Sequence, residues 1–434
     1  MAAESTEPGA GPARFLRRCF DRALAAADPR QMLSPHLPPP ESIRGRLVVV
    51  GAGKAAASMA QAVEDFYGDG VPVFGVVVTR YGYGLPCRRI EVIEAAHPVP
   101  DAAGLAAAGR IESALCGLTP EDTVLALVSG GASALLVAPR DGLALAEKRA
   151  LTSALLKSGA TIHEMNTVRK HLSRLKGGQL AARAAPARLV TLALSDVAGD
   201  DASVIGSGPT VPDPSTCADA LEIATRYGLE LPPAVRSAWT SGAWETPKAG
   251  DAAFRDSAYR LVGSAFHNLQ KTAAYAAGEG VTPLVLGDAI EGEAREVAKA
   301  LAGIALSCRR YGVPAKPPCI ILSGGETTVT IRGEGGRGGR NSEFLLGLAL
   351  ALKGAPGIHA LAADTDGIDG SEDNAGAIYG PEMWSNAARA DALAALARND
   401  AWGWFAARDG LIVTGPTCTN VNDFRAIYIE AETT

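Results

Sequence analysis

Short apolar runs alternate with alanine-rich segments through the first half of the chain, and this alternation limits the fold more than any other feature. The runs are rich in β-branched residues, which suits strands buried on both faces of a parallel sheet. The predicted strands occupy residues 47–50, 73–78, 124–128 and 189–194. The segments around them predict helices at residues 54–66, 102–116, 145–158 and 174–184. Such β-α alternation is typical of a doubly wound α/β domain.

A second α/β unit is predicted in the C-terminal part of the chain, where a similar alternation resumes. Strands are expected at residues 320–322, 327–331, 359–363, 411–413 and 426–430, with a helix at 342–352. A chain of 434 residues is also too long for one ordinary core. We therefore predict an N-terminal domain at residues 13–250, a connecting segment at 251–318 and a smaller C-terminal domain at 319–430.

Composition argues against several classes of binding partner and location. The net charge is −6 and there is no long basic run, which argues against a nucleic-acid partner. Seven scattered cysteines form no C-x-x-C pair, which favours reduced thiols over disulfides or a zinc site. The first 13 residues lack the apolar core of a signal peptide, and no apolar run is long enough to span a membrane. We expect a cytoplasmic protein with no membrane partner.

The first glycine-rich loop follows the strand at 47–50 and contains Gly51 and Gly53 followed by Lys54. Backbone N–H groups and a helix N-terminus at such a loop can bind an anion. The pattern G-x-G-x-x-A approaches the dinucleotide fingerprint, but the next strand ends in Thr79-Arg80 instead of an acidic residue. Two interpretations stay open: a phosphate site that Lys54 reaches, or a tight turn with Lys54 in solvent.

Two Ser-Gly-Gly loops each follow a predicted buried strand. Serine hydroxyls and successive glycine N–H groups suit phosphate or carboxylate binding, although each loop alone could be a plain turn. The residues are Ser129, Gly130 and Gly131 in one loop, and Ser323, Gly324, Gly325 and Glu326 in the other. Several such loops in one chain favour phosphate handling.

The most glycine-dense segment, residues 333–341, precedes the predicted helix at 342–352 and ends in Arg340 and Asn341. A flexible backbone with two arginines suits a polyphosphate clamp, because arginine stabilises charge on phosphoryl oxygens. The alternative is a disordered hairpin tip.

Acidic and basic groups elsewhere supply further candidates. Asp196 follows the strand at 189–194, and Asp364 and Asp366 follow the strand at 359–363. Carboxylates at strand ends commonly build sites in α/β sheets, and their hard oxygens suit Mg²⁺. Arg169 or Lys170 could hold a substrate carboxylate, or could belong to a solvated helix face.

Nine ordered motifs resemble the type-2 glycerate kinases, also described as the MOFRL or TtuD-like family. The resemblance extends over nearly the whole chain. The motifs are VVGAGKAAASM (49–59), HPVPD (97–101), LVSGGASAL (127–135), NTVRKHLSRLKGG (166–178), LSDVAGDDASVIGSGPTVPDP (194–214), LSGGET (322–327), GGRGGRNSE (335–343), AADTDGIDGSEDNAG (362–376) and TGPTCTNVND (414–423).

The resemblance implies phosphorylation of D-glycerate at the 2-hydroxyl, with ATP as donor and Mg²⁺ as cofactor. It also implies a Rossmann-like N-terminal domain, a smaller C-terminal MOFRL-type α/β domain and catalysis between them. The functionally important lysine and arginine of the family match Lys54 and Arg340. Glycerate and nucleotide are the expected small-molecule partners, and a homodimer is an assembly that the sequence allows.

We assign hypothetical roles to these residues. Lys54 would neutralise the transferred phosphoryl group, Arg340 would hold the triphosphate, and Asp196 would orient or deprotonate the glycerate hydroxyl. Asp364 and Asp366 would bind Mg²⁺. Two rival functions are an NAD(P)H-dependent hydroxypyruvate reductase, which the G-x-G-x-x-A loop would suit, and a non-catalytic nucleotide sensor.

Overall fold

The computed structural model describes residues 11–331, 335–370 and 372–431, and their packing divides the chain into two compact units. The parallel-sheet unit spans Pro29–Gly263. The mixed-sheet unit combines the described residues up to Asp28, including helix α1 (Pro12–Ala26), with those from Ser264 onwards. The division predicted from the sequence, into residues 13–250, 251–318 and 319–430, is a different one and stays a prediction.

Six strands form the sheet of the parallel-sheet unit. They are β1 (Leu47–Ala52), β2 (Val73–Arg80), β3 (Ile90–Ala95), β4 (Thr123–Val128), β5 (Arg188–Ser195) and β6 (Ser257–Ser264). Their spatial order is β3-β2-β1-β4-β5-β6, and the four pairs from β3 to β5 are parallel. This is the strand order of Rossmann-type sheets, which bind ligands beyond the carboxyl ends of the strands where the order reverses. Here the order reverses between β1 and β4.

Helices cover both faces of this sheet. The helices of this unit are α2 (Pro29–Leu33), α3 (Ala56–Tyr67), α4 (Ala102–Ala114), α5 (Ala132–Leu135), α6 (Leu145–Ser158), α7 (Ile162–His171), α8 (Gln179–Ala184), α9 (Cys217–Arg226) and α10 (Pro233–Ser241). Of these, α6, α7, α9 and α10 pack on one another in a separate apolar cluster. Along β1, Val48 and Val50 enter one core, whereas Leu47 and Val49 enter the core on the opposite face. Burial on both faces explains the continuous apolar run in the sequence.

The mixed-sheet unit contains a six-stranded sheet of order β13-β12-β11-β14-β9-β7 and a separate β8–β10 pair. Its strands are β7 (Thr282–Gly287), β8 (Gly292–Glu293), β9 (Cys319–Ser323), β10 (Thr327–Thr328), β11 (Ile358–Asp364), β12 (Gly376–Tyr379), β13 (Leu411–Ile412) and β14 (Asp423–Ile429). Its further helices are α11 (Ala265–Gly278), α12 (Ala294–Tyr311), α13 (Arg340–Leu352), α14 (Asn386–Ala397) and α15 (Ala401–Ala406). Strand β14 is antiparallel to β9 and β11, so its first residue, Asp423, lies where those two strands end.

The doubly wound prediction and the second α/β unit are confirmed, but two predicted elements are wrong. The helix predicted at 174–184 begins only at Gln179, because Gly177 and Gly178 have φ angles of 56° and 78° that a helix cannot include. The strand predicted at 327–331 is reduced to Thr327–Thr328, and Thr330 instead donates its N–H to the carboxylate of Glu293.

Among the described residues, no helix is long and apolar enough to cross a membrane.

Candidate active site

The loops after β1 and β4 lie side by side at the point where the strand order reverses. Ser129 donates its backbone N–H to the Ala52 carbonyl (3.1 Å), and Lys54 donates its N–H to the Gly130 carbonyl (2.8 Å). A Cβ atom on Gly51 would lie 2.5 Å from the Leu127 carbonyl oxygen. Glycine is therefore required here for two backbones to approach closely.

The backbone N–H groups of the first loop are used within the protein. Gly53 donates to the Val78 carbonyl (3.1 Å), and Ala55 donates to the Ser129 hydroxyl (3.1 Å). Together with the Lys54–Gly130 bond, these contacts occupy the N–H groups that a dinucleotide pyrophosphate would need. The cationic side chain of this loop is that of Lys54.

Lys54 and the Ser-Gly-Gly loop come together with a histidine. Gly131 has a φ of 81°, and a Cβ atom there would lie 3.0 Å from His97 Nε2 and 3.5 Å from Lys54 Cγ. Asp196 directly follows β5, the neighbour of β4, and is partly exposed at the same edge of the sheet. The parallel-sheet unit thus places Lys54, Gly131 and Asp196 at neighbouring strand ends.

Arg169 and Lys170 have different surroundings. Lys170 forms a buried ion pair with Asp213, with 3.1 Å between Nζ and Oδ1, and its side chain is 7% exposed. Arg169 lines a cavity of about 570 Å³ beside Gly131. Of the two, Arg169 is therefore the residue that a ligand in this unit can reach.

In the mixed-sheet unit, Arg340 lies at the first turn of α13 and is held by three carboxylates. Its guanidinium donates to Asp423 (2.8 Å), Asp364 (2.8 Å) and Glu326 (2.7 Å). Burial opposes the charge of Arg340, but Asp423, Asp364 and Glu326 outweigh burial and raise its pKa above the ordinary value. Arg340 is a permanent cation in a fixed position.

The start of α13 is fixed by further buried side chains. Asp369 accepts the N–H groups of Asn341 (2.9 Å) and Ser342 (2.8 Å), so it caps the helix. Asn341 donates its side-chain amide to Asp423 (2.8 Å), and its amide oxygen has no hydrogen-bond partner among residues 11–331, 335–370 and 372–431. The second Ser-Gly-Gly loop follows β9, and its Gly324 carbonyl accepts from Arg425 (3.2 Å).

Asp364 and Asp366 are buried at the end of β11. The Asp366 N–H donates to Asp364 (3.0 Å), and the Asp366 carboxylate accepts from the Ile368 N–H (2.9 Å). Mg²⁺ is typically bound by one or two carboxylates together with water and substrate phosphates, so this donor set fits the ion.

A second group of possible metal ligands lies elsewhere. Among the described residues, His171, Cys217 and Glu245 form the one cluster of three side chains of metal-binding type. Both ring nitrogens of His171 are used in hydrogen bonds, to Thr167 and to Glu245.

Family models match both units of the chain. A model described as a domain of unknown function, DUF4147, matches residues 15–240, and the MOFRL family model matches residues 319–423. The D-glycerate 2-kinase of Thermotoga maritima is 40% identical over 381 residues, which cover 87% of this chain and 89% of that protein. The chain belongs to the type-2 glycerate kinase family.

Two further comparisons extend over a comparable length. The crystal structure of the glycerate kinase from Thermotoga maritima matches with a TM-score of 0.87 at 38% identity, covering 96% of this chain and 99% of that one. An Agrobacterium vitis protein that carries the name "Putative hydroxypyruvate reductase" is 55% identical over 96% of this chain and 94% of its own length. The resemblance predicted from the motifs is confirmed.

Sequence reasoning within this glycerate kinase fold missed two functional candidates. Asp423 ends the motif TGPTCTNVND and orients Arg340 and Asn341. Lys148 occupies an apolar helix face beside the cavity that Arg169 lines. Asp423 could have been predicted, since it is an acidic residue at the start of the last strand. Nothing in the sequence marks Lys148 apart from its position in α6.

The segment 333–341 is only partly described. Gly333 and Glu334 lie outside the described residues, whereas Arg337 pairs with Glu372 on the surface.

Proposed function

We propose that the protein is an ATP-dependent glycerate 2-kinase, which transfers the terminal phosphoryl group of ATP to the 2-hydroxyl of D-glycerate and releases ADP and 2-phosphoglycerate. The observation that carries this proposal is the similarity to the D-glycerate 2-kinase of Thermotoga maritima along 87% of the chain. The Thermotoga glycerate kinase structure supports it at a TM-score of 0.87.

The residue roles follow from charge and position. Phosphoryl transfer depends on positioning and on neutralising charge at phosphoryl oxygens. Lys54 supplies a cation at the carboxyl edge of the parallel sheet, and Arg340 supplies a second cation whose orientation three carboxylates fix. Asp196 would accept the proton of the glycerate hydroxyl, and Arg169 would contribute positive charge to substrate binding.

Asp364 and Asp366 would hold magnesium, since both present buried carboxylates at the end of β11. Bound Mg²⁺ supplies charge neutralisation at the phosphates. One oxygen of Asp364 is bonded to Arg340, so metal and arginine would share that carboxylate.

The competing function is hydroxypyruvate reduction, which the name of the Agrobacterium vitis relative suggests. The first glycine loop argues against it, because the N–H groups of Gly53, Lys54 and Ala55 are already bonded within the protein. A nucleotide sensor would not need, in addition to Lys54, the Arg340 centre, which consists of Arg340 and its carboxylate partners Asp423, Asp364 and Glu326.

One pair of assays separates these functions. Purified protein is incubated with D-glycerate, ATP and Mg²⁺, and separately with hydroxypyruvate and NADPH. We expect ADP to form only when glycerate is present, and phosphorus NMR to place the phosphate on the 2-oxygen. NADPH oxidation without ADP formation would overturn the kinase proposal, and silence in both assays would favour the sensor. Cytoplasmic location and homodimer formation remain predictions from the sequence.

A further inference from the structure

The cavity of about 570 Å³ in the parallel-sheet unit is larger than glycerate needs. It lies among the 97–100 loop, the start of α5, one face of α6 and Arg169 of α7. Its volume falls within the roughly 300–1,000 Å³ of ordinary ligand pockets. Glycerate, a three-carbon acid, would leave most of this space empty.

The charge around the cavity has one sign. Lys148, Arg149, Arg169 and Lys176 line it, and no aspartate or glutamate of the described chain does so. Arg169 forms no ion pair with any described residue, and burial lowers its pKa. Four basic side chains with no acidic residue in the lining indicate a ligand that carries several negative charges, because such a ligand favours their protonated forms.

Lys148 is the most telling of these cations. It is only 6% exposed, and its Nζ atom has no hydrogen-bond partner among the residues that the structure describes. The neighbouring Lys176 ammonium, also buried, donates to the Leu136 carbonyl. An unpaired buried ammonium is costly unless an anion arrives to complement it.

Part of the cavity lining is apolar. It includes Val137, Leu145 and Leu156 together with Pro98 and Val99. Leu156 is 60% exposed and Val99 is 53% exposed, so both offer uncovered apolar surface. A ligand that fits this lining has an apolar part as well as a polyanionic part.

We propose that this cavity binds the nucleoside triphosphate, with its base on the apolar lining and its phosphates at Lys148, Arg169 and Lys176. This inference rests on the proposed function, since a kinase needs such a donor. Gly131 lines the cavity and also approaches Lys54 Cγ, so the phosphate chain would extend toward Lys54 within one unit.

The test is calorimetric titration of the full chain with ATP, ADP and adenosine in the absence of glycerate. Lys148→Met and Arg169→Met remove cavity cations, and Lys157→Met is the matched control on the exposed face of the same helix. We expect ATP to bind roughly ten- to hundredfold more weakly to the two cavity variants. Adenosine should bind equally to all proteins, and the control should match the wild type.

Wild-type ATP affinity in Lys148→Met, with its melting temperature retained, would overturn the proposal. The same variants are assayed for glycerate-dependent ADP formation, which separates the two hypotheses. If the wild type forms ADP and Lys148→Met has an unchanged KM for ATP, the ATP site is rejected and the kinase function is supported. If the wild type forms no ADP but the two cavity variants bind ATP more weakly than it does, the ATP site is supported and the kinase function is rejected.

Discussion

At the scale of single residues, Lys54 is the cation on which the proposed chemistry most depends. Lys54→Ala should lower kcat by about 10²–10⁴-fold, because the proposed mechanism uses Lys54 to neutralise charge on the transferring group. The melting temperature should change little, since the backbone N–H of Lys54, not its side chain, bonds Gly130. ADP release by Lys54→Ala at near the wild-type rate would remove the lysine from the mechanism.

Asp423 is the residue on which the Arg340 centre is built. It is buried and accepts from Arg340, Asn341 and Arg425, and Arg425 is itself only 1% exposed. Asp423→Asn should reduce the free energy of unfolding by about 3–5 kcal/mol, because it leaves a buried arginine without its counter-charge.

The matched control for Asp423 is Glu326→Gln. Glu326 pairs with the same Arg340, but its side chain is 59% exposed. Its loss should cost at most ~1 kcal/mol, since exposed ion pairs contribute little. Urea unfolding of both variants checks the contrast, and equal losses would contradict the central role of Asp423.

The stability of the ligand-free protein should depend on pH through Lys148. Burial, and then the charges of Arg169 and Arg174, lower the pKa of Lys148 to about 7. In the unfolded chain its pKa is ~10.4. Between these values the unfolded chain binds a proton that the folded protein has released, so the free energy of unfolding rises with pH.

Comparison with Lys148→Met isolates this effect. Between pH 7 and ~10, the free energy of unfolding of the wild type should rise by up to about 1.4 kcal/mol per pH unit more than that of the variant. The other titratable or charged groups at the cavity, His97, Arg149, Arg169 and Lys176, are present in both proteins. Parallel stability curves for the two proteins would show that Lys148 stays charged in the folded state.

At the scale of elements, the close approach of the loops after β1 and β4 should tolerate no side chain at Gly53. Gly53 has a φ of 133°, and a Cβ atom there would overlap the Ser129 hydroxyl. Gly53→Ala should cost about 2–5 kcal/mol of unfolding free energy through strain and overpacking, and should also lower activity by displacing Lys54.

Gly242 provides the matched control at the end of α10. Its φ and ψ are 70° and 11°, in the left-handed helical region, and nothing lies within 4 Å of a Cβ atom built there. Gly242→Ala should therefore cost only about 1 kcal/mol and leave activity unchanged. Denaturant unfolding and ADP release measure both variants, and similar costs would mean that the loop contact is not tight.

The elements themselves were largely predictable from the sequence, because β1, β4 and β5 are buried on both faces and appear as unbroken apolar runs. Strand β3 was missed, since Glu91 and Glu94 interrupt its pattern at the edge of the sheet. Lys54 and Arg340 were predicted as site residues from their glycine-rich loops. The partners of Arg340 were not, because Asp423 is 83 residues away in sequence and only the antiparallel register of β14 brings them together.

At the scale of the whole molecule, helix α1 is an early segment that belongs to the later unit. Its Phe15, Leu16, Cys19, Phe20 and Ala23 are buried in a core that includes β11 and β14. A chain lacking residues 1–28 should therefore lose amide-exchange protection mainly in β11 and β14. Protection in β1 and β4 should persist, and hydrogen exchange with mass spectrometry would reveal the opposite pattern if this assignment were wrong.

The same arrangement has a consequence for synthesis on the ribosome. Residues 29–263 form a contiguous unit that can fold as soon as it has emerged, whereas the partners of α1 are translated only after it. The apolar face of α1 therefore stays uncovered while more than 230 residues are added before its first partner, α11, appears, and more than 300 before β11. During that interval, the exposed apolar face makes α1 a suitable binding site for a chaperone.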